Sequence, residues 1–168
     1  ASNGAIIPFL RPKNISNDYA VDQDVIDHFL GWMKENKIAA DNLCYLYATA
    51  PFITKETLIG VRKLLEESEA YMAHTITKYD FPVLKALKKD KNDCLKYMWN
   101  EYSKSRSQDL SEFFHDAGQC YFFDLKKSYV EKKIVGYILP RLYCQDIDTI
   151  EDFEQAEIIY EHFLRNKN

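Results

Sequence analysis

The sequence has 168 residues, 46% of them hydrophobic and 29% charged, with a formal net charge of -4. A chain of this size can bury one core, and its acidic balance argues against nucleic acid or an anionic membrane as partner, because those are bound through Lys and Arg. The sequence contains no signal peptide and no apolar run of membrane-spanning length, which favours a cytoplasmic location. Four cysteines without a CxxC pair predict reduced thiols rather than a disulfide framework or a zinc site.

The first elements are predicted to be a short strand and a long helix. Ala5 to Ile7 forms the strand, which ends at Pro8. Apolar residues then recur at helical spacing between positions 21 and 33, and Ser16 or Asp18 is expected to cap this helix.

A second strand and helix follow. Leu43 to Ala48 is a short, Tyr-rich apolar run, which is typical of a central strand buried on both faces. Thr54 is a good N-cap for the next helix. Tyr47 and Thr49 are therefore expected at the carboxyl end of a strand, where open α/β sheets bind their ligands.

The middle of the chain predicts one more strand and a hairpin. Tyr71 to Thr77 alternates weakly between apolar and polar residues. Leu84 to Leu87 and Cys94 to Trp99 are strand-like runs separated by the charged turn KKDKND, a pattern that indicates a hairpin near an edge.

Glu101 to Gln119 is the longest polar connection, and connections of this length in compact domains are often functional. Arg106 offers a planar fork that matches a carboxylate through two parallel hydrogen bonds, and Gln108 stands close by. A solvated loop without a function explains these two residues equally well.

A polar stretch directly precedes the predicted strand Cys120 to Phe123. Gly118 permits close backbone approach, while Asp116 and Gln119 can hydrogen-bond the hydroxyl groups of a ligand. His115 next to Asp116 also suggests acid–base catalysis. We weigh this lower, because adjacent residues rarely orient each other as a dyad.

The C-terminal stretch is predicted to run from a strand into a helix through an acidic turn. The strand-like run extends from Ile138 to Cys144 with a break at Pro140, and Thr149 is a good N-cap for the helix that follows. Asp146 and Asp148 lie between the two elements.

The spacing of Asp146 and Asp148 allows a metal site. In extended backbone, residues i and i+2 point to the same side, so both carboxylates can face one ion. Mg²⁺ commonly takes one or two protein carboxylates and completes its shell with water and phosphate oxygens. On spacing alone, we favour the alternative that the two acids only add negative charge at a helix N-terminus.

Four stretches, in the right order, resemble one enzyme group. QDIDTIEDFEQAE resembles the closing motif of the CMP-sialic acid synthetases, the cytidylyltransferases that activate nine-carbon acidic sugars. The others are PFLRPKNISNDYA (Pro8 to Ala20), YATAPF (Tyr47 to Phe52) and RSQDLSEFFHDAGQCYF (Arg106 to Phe122). The last most resembles the pseudaminic acid cytidylyltransferases, which are similar to this chain over nearly its whole length.

This resemblance implies an α/β fold: a three-layer α/β/α sandwich of the nucleotide-diphospho-sugar transferase type, Rossmann-like, with residues 1–168 in a single domain. In that family, two βα units with a Gly-rich nucleotide loop precede the part matched here, and this sequence has no such loop. We therefore expect about 60 residues, at ~30 per βα unit, to be absent upstream. The 168 residues alone are then not expected to complete the reaction.

The implied activity is transfer of CMP from CTP to a nonulosonic acid, pseudaminic acid, with release of pyrophosphate and with Mg²⁺ as cofactor. The resemblance also implies a homodimer, with a contact in the hairpin region of about residues 78–105. Two alternatives stay open. One is the same reaction on N-acetylneuraminic or legionaminic acid, and the other is a non-catalytic remnant that binds only a sugar or a partner.

The resemblance assigns roles to individual residues. Asp146, Asp148 and Arg106 would be catalytic, the two acids as ligands of Mg²⁺ and Arg106 as partner of the sugar carboxylate. The substrate-binding residues would be Arg11, Ser16, Asp18, Tyr47, Thr49, Lys85, Gln108, Asp116 and Gln119. Many sialic acid synthetases carry Gln-Pro-Thr where this chain has Tyr47-Ala48-Thr49, a departure that favours the pseudaminic branch.

Overall fold

The computed structural model describes residues 4–17, 19–127 and 133–165, except for the side chain of Phe163. These residues form two compact units, which divide between Asp41 and Asn42. The interpretation of residues 1–168 as one domain stays a prediction. No helix in the described ranges combines the length and the apolar character needed to cross a membrane.

The first unit is built around helix α1, Asp22–Glu35. Its N-cap is Val21, whose backbone N–H donates to a carboxylate oxygen of Asp24 over 3.3 Å. The predicted capping by Ser16 is therefore wrong, because the helix begins beyond the reach of that side chain. Asp18, the other predicted cap, lies outside the described residues.

The segment before α1 carries no strand. The strand predicted for Ala5 to Ile7 is wrong, since no regular structure is present there and Ile6 and Ile7 are 89% and 67% exposed. Apolar side chains that stay in water provide no burial to hold a strand in place. Phe9 packs on α1 instead, with its ring centroid 4.6 Å from that of His28.

The described residues of the second unit contain six strands and two long helices. In chain order the strands are β1 (Asn42–Leu46), β2 (Met72–Lys78), β3 (Leu87–Lys89), β4 (Leu95–Tyr97), β5 (Phe114–Asp124) and β6 (Ile134–Ile138). Helix α2 (Lys55–Ser68) follows β1, and helix α3 (Ile150–Arg165) follows β6. Four strands form a sheet in the order β1-β5-β2-β6, with β5 antiparallel to both neighbours and β2 parallel to β6. The predicted mixed α/β class is confirmed.

Strand β5 is longer than the sequence predicted. It begins at Phe114 instead of Cys120, so the polar stretch expected before it is itself part of the sheet. Gly118 has a φ of +61°, and the register between β2 and β5 shifts at this level, between His74 and Ile76. A bulged strand with polar residues has a loop-like sequence, and only the partner strand reveals the pairing.

Two other strand predictions need correction. Strand β1 is not a central strand buried on both faces. It stands at one end of the four-stranded order, and Leu46 is 45% exposed. The strand-like run after Ile138 is instead a 3₁₀ turn, Arg141–Tyr143, because Pro140 has no N–H to continue the ladder.

The core of the second unit lies between α2 and the sheet. Thr54 caps α2 as predicted, accepting a hydrogen bond from the N–H of Thr57 over 3.2 Å. Val61 and Leu65 are fully buried and pack with small and aromatic residues of β2 and β5, including Ala73. Burying one such aliphatic side chain contributes about 1.5–3 kcal/mol.

The predicted hairpin is confirmed as a separate two-stranded sheet, in which Leu87 pairs with Tyr97. The predicted start of its first strand at Leu84 is wrong, because Val83–Lys85 forms a 3₁₀ turn and the strand begins at Leu87. The four cysteines are free, as expected, but only Cys120 is buried. Its Sγ lies 3.9 Å from the Sγ of Cys44, about twice the length of a disulfide bond. The contact with Cys120 lowers the pKa of Cys44, whereas the contact with Cys44, together with burial, raises the pKa of Cys120.

A substitution in α2 tests how closely this helix approaches the sheet. A Cβ on Gly60 would lie 2.5 Å from Cε2 of Tyr137 in β6. Gly→Ala inside a helix normally gains about 1 kcal/mol, but displacing a packed ring costs about 1–3 kcal/mol. We expect Gly60→Ala to lower the free energy of unfolding by about 1 kcal/mol.

Urea unfolding followed by circular dichroism measures this change. Gly31→Ala in α1 is the matched control, because no other described atom beyond its chain neighbours and its own helix backbone lies within 4 Å of the added Cβ, and it should stabilise the protein. Equal stabilisation by both substitutions would show that Tyr137 does not fill the space beside Gly60.

Candidate active site

Three clefts of the second unit have lining residues in common, and together they are called the groove. The Asp146 cleft, of about 340 Å³, is lined by Tyr47, His115, Asp116, Gly118, Cys144 and Asp146 among others. The Arg141 cleft, of about 550 Å³, is lined by residues that include Thr77, Asp80, His115, Arg141, Cys144, Gln145 and Gln155. The Gln108 cleft, of about 280 Å³, is lined by residues that include Lys78, Asp80, Gln108 and Glu112. His115 and Cys144 belong to the first two clefts, and Asp80 belongs to the last two.

Asp116 is held as a carboxylate in the Asp146 cleft. One of its oxygens accepts hydrogen bonds from the N–H of Gly118 and the hydroxyl of Tyr121, over 2.8 and 2.9 Å. The other oxygen lies 3.4 Å from Nδ1 of His74. Burial raises the pKa of Asp116, but the contact with His74 and the hydrogen bonds from Gly118 and Tyr121 together outweigh burial and hold that pKa below its ordinary value.

The acid pair stands at the start of α3. Thr149 donates from its N–H and from its hydroxyl to one carboxylate oxygen of Asp152, over 2.8 and 2.7 Å, and the N–H of Asp152 donates back to Thr149 Oγ1. The predicted capping role of Thr149 is confirmed by this reciprocal pair. Asp146 reaches the Asp146 cleft, whereas Asp148 is not among the residues that line it.

Asp146 and Asp148 could hold a metal ion. Both side chains are exposed, and neither carboxylate accepts a hydrogen bond or forms an ion pair with another described residue. Among the described residues there is no cluster of three or more His, Cys, Asp or Glu side chains suited to a metal. Two hard oxygen donors with room for water and phosphate fit Mg²⁺ better than a metal that requires a closed protein site.

Gln119 has a structural position. Its side chain is fully buried, and its Nε2 donates to the carbonyl of Tyr143 in the connection between β6 and α3. Its backbone carbonyl accepts from the N–H of Tyr47 over 3.0 Å. The side chain therefore ties β5 to the connection that carries Asp146. The predicted contact of Gln119 with substrate stays a prediction.

Three further site residues were predicted near β1 and in the hairpin region, and one of them, Tyr47, lines a cleft. Tyr47 follows β1 directly and lines the Asp146 cleft. Thr49 is exposed in the next turn, and Lys85 is half-buried at the end of the 3₁₀ turn Val83–Lys85. Neither of these two lines the three clefts, and their contacts with substrate stay predictions.

Of the two site residues predicted in the Ser-rich connection, the structure places Gln108 at a cleft but not Arg106. Gln108 lines the Gln108 cleft. Arg106 uses both prongs of its guanidinium on Asp109, over 2.8 and 2.9 Å, and this carboxylate raises the pKa of Arg106. Arg106 lines none of the three clefts. Its pairing with a sugar carboxylate stays a prediction.

The predicted site residues of the first unit contact each other. The Nε of Arg11 donates to the hydroxyl oxygen of Ser16 over 3.2 Å, and that hydroxyl donates to the carbonyl of Pro12 over 2.8 Å. Asp18 lies outside the described residues. The contacts of Arg11 and Ser16 with substrate stay predictions.

The structure adds two residues that the sequence analysis left without a role. Arg141 and Asp80 form an ion pair where the Arg141 and Gln108 clefts meet. A charged residue directly after Pro140, in the connection that leads to the acid pair, was the one signal in the sequence that could have drawn attention to Arg141.

Comparisons with known proteins identify the family. No family model matches the chain. A curated pseudaminic acid cytidylyltransferase of Campylobacter jejuni subsp. jejuni serotype O:2 is 34% identical over 164 residues, covering 94% of this chain and 70% of the relative. Its counterpart from serotype O:23/36 is 33% identical over 164 residues, with the same coverage. The chain belongs to the pseudaminic acid cytidylyltransferase family.

The family identifies both the fold and the enzyme class of the chain. The chain is a nucleotidyltransferase by family, and the family implies the Rossmann-like nucleotide-diphospho-sugar transferase fold predicted from the sequence. The mixed sheet with α2 packed on β2, β5 and β6 is compatible with that fold. Of the residues predicted by resemblance, Tyr47, Asp116 and Asp146 meet in one cleft.

The hydrogen bonds to Asp116 predict a pH-dependent stability. The folded pKa lies below the unfolded value, so the stabilisation is complete above about pH 4 and is lost as the pH falls through the folded pKa. We expect Asp116→Asn to lower the free energy of unfolding at pH 7 by about 1 kcal/mol, allowing for screening of a half-exposed carboxylate.

Chemical unfolding at a series of pH values measures this difference. Wild type and Asp116→Asn should converge in acid, and Tyr121→Phe, which removes one of the donors, should show a smaller loss with the same sign. A difference between wild type and Asp116→Asn that is independent of pH would contradict the assignment.

Proposed function

We propose that this chain catalyses transfer of CMP from CTP to pseudaminic acid, with release of pyrophosphate. The observation that carries the proposal is the 34% identity over 164 residues to a pseudaminic acid cytidylyltransferase. The groove agrees with it, since polar and charged side chains line all three clefts.

The chemistry requires alignment more than a protein nucleophile. The anomeric hydroxyl oxygen of the sugar forms a bond to the α-phosphorus of CTP, the bond from that phosphorus to the β-phosphate oxygen breaks, and the hydroxyl proton is lost. Such transfers depend on positioning and on compensation of charge. We assign positioning of the reacting groups to the Asp146 cleft, in which Tyr47 and Asp116 offer polar atoms beside Asp146.

Asp146 and Asp148 are the residues that would hold Mg²⁺. When bound, the ion supplies positive charge against the triphosphate as pyrophosphate departs. The two carboxylates have no hydrogen-bond or ion-pair partner in the part of the chain that the structure describes, which supports this assignment. The reciprocal bonds between Thr149 and Asp152 hold the backbone beside them.

A homodimer formed through the hairpin is part of the proposal. Leu87, Leu95, Tyr97 and Met98 are 41–62% exposed on β3 and β4 and directly after them. We expect Leu95→Lys to shift the protein from dimer to monomer in sedimentation velocity, because a charge replaces apolar contact area. An unchanged sedimentation coefficient would place the interface elsewhere. The cytoplasmic location stays a prediction.

The proposed activity is tested with the protein as its gene encodes it. CTP, Mg²⁺ and pseudaminic acid should give CMP-pseudaminic acid and pyrophosphate, detected by mass spectrometry and a pyrophosphate assay. N-acetylneuraminic and legionaminic acids serve as competitors. Faster turnover of either competitor would transfer the assignment to that sugar, and no product from any of the three would favour a non-catalytic role.

The same assay examines the acid pair. Asp146→Asn and Asp148→Asn each remove one negative charge with little change of shape, so we expect turnover to fall roughly a hundredfold, as when a group that stabilises a transition state is lost. Binding of Mn²⁺, followed by water proton relaxation, should weaken in both variants without turnover. If both variants bound Mn²⁺ as tightly as wild type, Asp146 and Asp148 would not be the metal ligands.

A further inference from the structure

Two cysteine sulfurs meet across neighbouring strands of the sheet. The Sγ of Cys44 in β1 lies 3.9 Å from the Sγ of Cys120 in β5, and both thiols are free. The two side chains point to the same face, because Leu46, two residues beyond Cys44, pairs directly with Cys120. The thiols of Cys94 and Cys144 donate to backbone carbonyls instead. Cys44 and Cys120 are therefore placed to react with each other.

The two thiols differ in exposure, and this difference sets their chemical roles. Cys44 is exposed, whereas Cys120 is fully buried in the core beside α2. The contact with Cys120 lowers the pKa of Cys44, which favours the thiolate, the form that attacks oxidants. The contact with Cys44, together with burial, raises the pKa of Cys120, which stays a protonated thiol. A small oxidant from solvent reaches Cys44 first and leaves it next to a second thiol.

Both strands of this pair carry residues of the Asp146 cleft. Tyr47 directly follows β1, and its N–H donates over 3.0 Å to the carbonyl of Gln119, the neighbour of Cys120. Tyr121, the other neighbour of Cys120, also lines the cleft. The rings of Tyr47 and Tyr121 lie against each other, with their centroids 5.5 Å apart. A movement of β1 against β5 would change these contacts and with them the lining of the cleft.

A bond between the two sulfurs requires such a movement. A disulfide is about 2 Å long, so the sulfurs must approach each other by about 2 Å. Cys44 and Cys120 occupy diagonal positions of the antiparallel pair, where Cα atoms are about 7–8 Å apart, beyond the usual span of a disulfide. We therefore expect β1 to shift along β5 when the bond forms. A disulfide under strain is readily reduced again, which suits reversible control.

We propose that Cys44 and Cys120 form a site of reversible oxidation, at which a hydroperoxide produces a disulfide that shifts β1 and lowers turnover. The Cys44 thiolate attacks one peroxide oxygen and the O–O bond breaks, which gives a sulfenic acid and hydroxide. The sulfur of Cys120 then attacks the sulfenic sulfur, the S–O bond breaks, and water leaves with the Cys120 proton. The two thiols are oxidised and the peroxide is reduced. A dithiol reverses the step by thiol–disulfide exchange and is itself oxidised to a disulfide.

The test exposes the protein as its gene encodes it to hydrogen peroxide and afterwards to dithiothreitol. Mass spectrometry of the non-reduced digest should recover a peptide in which Cys44 is linked to Cys120. Formation of CMP-pseudaminic acid, which rests on the proposed function, should fall roughly ten- to a hundredfold, because a displacement of about 1 Å in an active site can cost a hundredfold. Dithiothreitol should restore it. Cys44→Ser should form no such peptide and keep its turnover in peroxide.

Cys94→Ser is the matched control. Cys94 is exposed like Cys44, but its thiol donates to the carbonyl of Asn92 and it lines none of the three clefts. This variant should form the disulfide and lose turnover as wild type does. Before oxidation, Cys44→Ser and Cys94→Ser should both fold and turn over like wild type, because each replaces one atom of an exposed side chain.

Three outcomes overturn the inference while leaving the proposed function intact. In the first, peroxide-treated wild type contains no peptide that links Cys44 to Cys120. In the second, the disulfide forms and turnover stays unchanged, so that the bond does not reach the Asp146 cleft. In the third, Cys44→Ser loses turnover as fast as wild type, which places the reactive thiol elsewhere. Untreated wild type that forms no CMP-sugar overturns the proposed function instead, and the peptide map still decides whether the disulfide forms.

Discussion

The hydrogen bond from the side-chain amide of Gln119 to the carbonyl of Tyr143 is the contact on which the groove depends. It joins β5, which carries Asp116, to the irregular connection that carries Arg141 and Asp146. A buried carbonyl that loses its donor costs about 1–3 kcal/mol, so the connection is held to the sheet by a contact that is expensive to break. The connection that carries Arg141 and Asp146 is thereby tied to the strand that carries Asp116.

Other buried polar contacts tie β2 to its neighbours in the sheet. The hydroxyl of Thr75 bridges to the backbone of Cys120, and the hydroxyl of Thr77 donates to the carbonyl of Leu139 over 3.0 Å. Both threonines are essentially inaccessible, and each contact ties β2 to a neighbouring segment. Satisfied buried hydrogen bonds of this kind add about 1 kcal/mol each to stability, but they fix the relative positions of strands more strictly than apolar packing does.

The sequence predicted those elements that depend on contacts between residues close together in the chain. Apolar periodicity and the Thr54 cap located α2, because a helix is defined by contacts within one turn. The start of β5 was missed, since Gly118 and its polar neighbours form a strand only against β2. Resemblance supplied three residues of the Asp146 cleft. It did not single out Arg141, because the ion-pair partner of this residue, Asp80, is remote in the chain.

The reciprocal bonds between Thr149 and Asp152 have a consequence for the acid pair. The carboxylate of Asp152 also accepts a hydrogen bond from the backbone N–H of Asp148, over 3.3 Å, so Asp148 is attached to the first turn of α3. Asp146 stands in irregular backbone two positions earlier. Fixing one residue costs about 1–2 kcal/mol of conformational entropy, and for Asp148 much of that cost is already met by folding. Under the proposed metal assignment, binding of a cation would therefore have to order mainly Asp146.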